Sequence, residues 1–146
     1  MTAVLAPATV RPVWIVSAGS GLVAACAVEI YGLLADAVGV PMRAGNVGAD
    51  TTEPITAGMF AMGTCISVFW GTVLAVLLAR FAATPARTYL RTTLVLTALS
   101  MAGPLAAGGD TPWQTRLMLC LAHLLAAAVV IPAVTRSLRA RESESA

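Results

Sequence analysis

Long apolar runs separated by short polar breaks set the plan of this chain. Four stretches, about 13–38, 55–80, 87–107 and 112–136, are dominated by Val, Leu, Ala and Ile with few charges. About 20 such residues suffice for an α-helix to cross a bilayer. The pattern therefore predicts an all-α fold, a four-helix transmembrane bundle. The breaks support the boundaries. Gly39-Val40-Pro41 stops the first helix, and the Pro41–Glu53 loop follows. Thr51 or Thr52 is expected to cap the second helix, with Pro54 in its first turn. Thr84-Pro85 opens the third, and Asp110 or Thr111 with Pro112 opens the fourth. Residues 1–12 read as a short cytoplasmic segment. The apolar run that follows is too long for a signal-peptide core and is expected to stay as the first span. Residues 137–146 are polar and read as a disordered cytoplasmic tail.

Composition strengthens the membrane reading. Apolar residues make up 58% of the 146 and charged residues only 11%, well below the roughly 25% charged of soluble domains. The net charge of +2 is too small to point to nucleic acid. Arginine placement suggests orientation. Arg11, Arg80, Arg87, Arg91, Arg136, Arg139 and Arg141 fall at one end of the four-helix layout, and Arg43 and Arg116 at the other. Cytoplasmic loops carry the excess of basic residues, so both termini are expected inside a cell membrane. Three cysteines, Cys26, Cys65 and Cys120, lie in apolar runs and read as small buried hydrophobes rather than as a disulfide framework.

Polar groups inside the spans are the candidate chemistry, because an ionisable residue in lipid is costly and usually faces a bundle interior or a watery cavity. Arg116, Cys120 and His123 are spaced i, i+4, i+7, one face of the fourth helix. Thr93, Thr97, Ser100 and Pro104 form a stripe on the third, where Pro104 should kink the span near its end. On the first, Ser17, Gly21 and Ala25 form a small-residue row suited to close helix approach. Glu29 is the next position of that row, and Asp36 follows on the same side. These spacings predict an outward-facing pocket shared by Glu29, Asp36, Thr97, Ser100, Arg116, Cys120 and His123, binding a lipophilic small molecule. A Glu29–His123 pair could serve there as acid and base, in an isomerase- or cyclase-like reaction, with Arg116 orienting an anionic or carbonyl group. The bland alternative is that these groups only fix helix register, and that Thr97 and Ser100 bond their own helix carbonyls. Cys120-x-x-His123 with nearby methionines would suit a soft ion such as Cu(I). The motif is short, and no metal or cofactor is assigned. Partners are then the lipid bilayer, a lipophilic small molecule, and either a second copy or another membrane protein held by the Ser17/Gly21/Ala25 row.

The layout resembles a family of small bacterial four-span membrane proteins of unknown function. The resemblance rests on the Glu29 region, the run SMAGPLAA at Ser100–Ala107, and LAHLLAAAVVIP at Leu121–Pro132; it implies a fold and no activity. Glu29-Ile30-Tyr31-Gly32 is also similar to the fragment around the essential glutamate of small multidrug-resistance exporters. That resemblance implies a proton-coupled exporter using Glu29. The long first loop, Arg116, His123 and the one-sided arginine distribution depart from the exporter pattern.

Overall fold

The computed structural model describes residues 11–144; positions 1–10 of the expected N-terminal segment, and 145–146, lie outside it. The described chain is mostly helical. Helix α1 spans Val13–Ala37, and a two-stranded hairpin follows, β1 at Arg43–Ala44 and β2 at Glu53–Pro54. Helix α2 spans Met59–Phe81, α3 Pro85–Ser100, α4 the single turn Ala102–Leu105, and α5 Trp113–Glu144. Helices α1, α2 and α5 are long and apolar enough to cross a membrane, which marks a membrane protein. Helix α3, at 16 residues, would extend only about 24 Å at ~1.5 Å per residue.

Helix α1 packs on α2 and α5, and α3 also packs on both, so the four longer helices form a ring. The α1–α2 seam is antiparallel and uses the small-residue row. The Ser17 and Thr72 hydroxyls meet at 2.6 Å. A Cβ at Gly21 would collide with the Val68 side chain, so only glycine lets the two backbones come this near. The row expected to hold a partner is thus occupied, at Ser17 and Gly21, by the chain's own α2. The core is continuous with this seam: Ala24, Ala75, Tyr89, Val130, Val134 and Leu138 are buried together, and Val68 packs against them.

Three expectations are corrected. The second helix begins at Met59 rather than at residue 55, because Pro54 pairs with Arg43 in the hairpin instead of opening a helical turn. The third apolar stretch is interrupted at Met101, leaving α4 as a separate turn. Pro104 has no N–H to give to the Ser100 carbonyl, which removes one rung of the helical ladder. The tail is not disordered through its described part: α5 continues to Glu144, and Leu138 is only 1% exposed. Packing of that leucine against the core outweighs the polar composition around it.

Candidate functional site

The first loop is built, not slack. Ile55 N–H donates to the Met42 carbonyl at 2.9 Å, continuing the hairpin. The hairpin folds back over the start of α5. Gly45 N–H donates to Thr111 Oγ1 at 2.9 Å, and that hydroxyl donates to the Gly108 carbonyl at 2.7 Å. Gly108 N–H donates to the Asn46 carbonyl at 3.0 Å, and Thr115 Oγ1 to the Pro41 carbonyl at 2.6 Å. The two backbones interlock closely. A Cβ at Gly108 would lie 2.5 Å from the Ala49 carbonyl oxygen and 2.6 Å from that of Asn46, so no larger residue fits.

Glu29 sets the position of the neighbouring helix start. The first N–H groups of a helix have no intrahelical acceptor and carry partial positive charge. Gly58, the residue preceding α2, takes a left-handed φ of 90° and has no side chain to cap with. The Glu29 carboxylate fills that role from α1: Oε1 accepts from Gly58 N–H at 2.6 Å, and Oε2 from Ala61 N–H at 3.0 Å. One turn further along α1, the Phe60 ring lies against Gly32. Glu29 and Gly32 together fix where the first turn of α2 sits.

Between hairpin, α2 and α5 lies a groove of about 310 Å³. Its lining includes Asn46 and Glu53 from the loop, Ile55, Met59 and Phe60 at the approach to and start of α2, and Leu119 of α5. The walls are mostly apolar. None of the seven residues expected from the sequence lines it. They lie outside its lining. Glu29 bonds the start of α2, whose Met59 and Phe60 line the groove. His123 lies one helical turn along α5 from Leu119, on the same face. Its Nδ1 is 2.7 Å from the Leu119 carbonyl; a carbonyl only accepts, so Nδ1 donates in this bond.

Arg116 does orient carbonyl groups, but they are the protein's own. Nε donates to the Thr111 carbonyl and Nη1 to that of Leu105, tying α4 to the start of α5. Ser100 Oγ donates to the Thr97 carbonyl at 2.7 Å, as the bland reading of that stripe expects. Cys120 is a free thiol, half-buried. Asp36 is exposed at the end of α1. Apart from the Ser100–Thr97 bond, no side-chain hydrogen bond or ion pair among the described residues joins any two of the seven. The described residues also hold no cluster of three or more His, Cys, Asp or Glu suited to a metal ion.

Sequence reasoning missed the groove because its walls carry little that looks chemical. Met59, Phe60 and Leu119 are ordinary apolar residues of membrane helices. One signal was present: a loop of about 13 residues between helices is often functional, and this one supplies one wall of the groove.

A protein-family model matches residues 8–140, described as a family of unknown function (DUF6069). The chain belongs to this family. No curated protein and no solved structure matches it. Family membership spans every element from α1 through most of α5, hairpin and groove included. In this DUF6069 member the carboxylate of Glu29 is a structural cap, whereas the groove beside the hairpin offers open, apolar space.

Proposed function

We propose that this protein is a four-span, multi-pass protein of the cell membrane, N-in and C-in, that holds a small lipophilic molecule in the groove beside the hairpin on the outer side. The observation that carries the reading is the groove itself. A loop in a membrane protein need not be locked down by side chain and backbone bonds, yet this one is, and the space it walls is lined by Ile55, Met59, Phe60 and Leu119. Pockets that bind small ligands are concave and mostly apolar, with a few placed polar groups. Three apolar helices and the basic residues gathered at the opposite end support the orientation. Helix α3 with the turn of α4 completes the fourth crossing in this reading, as a short and broken span.

Acid–base catalysis or proton-coupled export through Glu29 is less favoured. Both carboxylate oxygens already accept backbone N–H groups at the start of α2, so both are engaged in holding that helix in place.

The test is binding of a neutral lipophilic fluorophore, N-phenylnaphthylamine, to the full chain in lipid nanodiscs. Leu119→Trp fills the groove and should abolish saturable binding, while Leu94→Trp, on the exposed side of α3, should leave it intact. Equal binding to both variants would overturn the proposal.

A further inference from the structure

The groove has an apolar body and one charged group at its edge. Glu53 pairs with Ala44 in the hairpin register and lines the groove. The nearest basic residue in sequence on the hairpin, Arg43, is turned to another partner: its Nε donates to Thr52 Oγ1 at 2.8 Å. Among the described residues the Glu53 carboxylate has no hydrogen bond or ion pair. An exposed carboxylate beside apolar walls is chemically suited to face the cationic end of an otherwise apolar ligand.

The wider field agrees. The hairpin end carries four acidic residues, Asp36, Asp50, Glu53 and Asp110, against two basic ones, Arg43 and Arg116, and only Glu53 of these lines the groove. Clefts lined by one sign of charge concentrate ligands of the other. Size limits the ligand as well: about 310 Å³ is near the small end of the roughly 300–1,000 Å³ of ligand pockets, too little for a two-chain lipid.

Building on the groove-binding reading above, we infer that the groove selects a small amphiphilic cation, its ammonium group at Glu53 and its apolar chain on Ile55, Met59, Phe60 and Leu119. Glu53 is the specificity-determining residue. Asn46 at the same rim adds a polar contact and no charge.

The experiment uses three diazirine-bearing alkyl probes that differ only at the head: trimethylammonium, its uncharged tert-butyl isostere, and carboxylate. Each is photolysed with the full chain in nanodiscs of zwitterionic lipid, and labelled peptides are mapped by mass spectrometry. The trimethylammonium probe should label the 53–60 segment and Leu119 about threefold to fivefold more than the isostere, the range of a partly exposed ion pair. The carboxylate probe should label least. Glu53→Gln should bring the trimethylammonium and tert-butyl probes level, Glu53→Asp should retain the preference, and added salt should shrink it. Groove labelling that is equal for all heads, or a preference unchanged in Glu53→Gln, overturns cation selection while leaving the groove-binding reading standing. Labelling by no probe at these residues overturns both.

Discussion

At the hairpin end and at the arginine-rich end of the bundle, a glutamate from one helix caps the start of another. Glu29 of α1 takes two N–H groups at the start of α2, and Glu142 of α5 accepts from Ala86 N–H of α3 at 2.9 Å. The surroundings differ. At the arginine end the connection between α2 and α3 is three residues long, residues 82–84. The cavity of about 490 Å³ there is bordered by Arg141, Glu142 and Glu144, charged groups suited to water. At the hairpin end the capped helix start forms the wall of an apolar groove, and an interlocked loop stands opposite. The same bond closes a joint at one end and shapes the wall of an apolar groove at the other. A carboxylate inside an apolar helix is thus not by itself a sign of proton chemistry; the partners of its oxygens decide.

Several substitutions would break or sharpen this contrast. The largest effect should come from Gly108→Val, which forces a side chain between backbone carbonyls that cannot move apart without opening the loop. A loss of about 3 kcal/mol or more is expected, read as a lower melting temperature and new protease cleavage within residues 43–54. Gly63→Ala, with nothing near its added Cβ, is the control and should be neutral or slightly stabilising. Glu29→Leu comes next. It leaves two helix-start N–H groups without acceptors and should cost about 2–3 kcal/mol, with faster hydrogen exchange at Gly58 and Ala61. Glu142→Ala should cost about 1 kcal/mol, as for other lost caps, and leave fluorophore binding at the hairpin end unchanged. Glu53→Gln should shift stability by less than about 0.5 kcal/mol while altering which probe head is preferred. If Glu142→Ala weakened fluorophore binding as much as Glu29→Leu does, the two ends would not be independent.

The sequence made some of this plain and concealed the rest for physical reasons. Helix α1 was expected over 13–38 and spans Val13–Ala37, because a long apolar run bounded by Gly39 and Pro41 leaves little choice. The start of α2 was hidden. Strands of two residues have no periodicity to read, and the cap for α2 comes from Glu29, far back along the chain. The helical end of α5 did leave a trace: Val130, Val134 and Leu138 repeat at i, i+4, i+8, with Glu142 next, so one inward face continues through the polar tail. Among the candidate residues, Arg116, Ser100 and His123 were selected for their chemistry, and each is bonded to backbone. Composition cannot distinguish a polar group that serves a ligand from one that serves the fold. The groove drew no attention because apolar side chains form a groove only through the loop that closes over them.

The account turns on Glu29 building the groove wall instead of acting within it. Equilibrium binding of N-phenylnaphthylamine to Glu29→Gln and Glu29→Leu in nanodiscs tests this most directly. The amide oxygen of Gln can still accept an α2 N–H, so Glu29→Gln should keep most of the binding while Glu29→Leu loses it. Loss of binding in Glu29→Gln as complete as in Glu29→Leu, with the protein still folded, would show that the charge itself is required and would contradict the account.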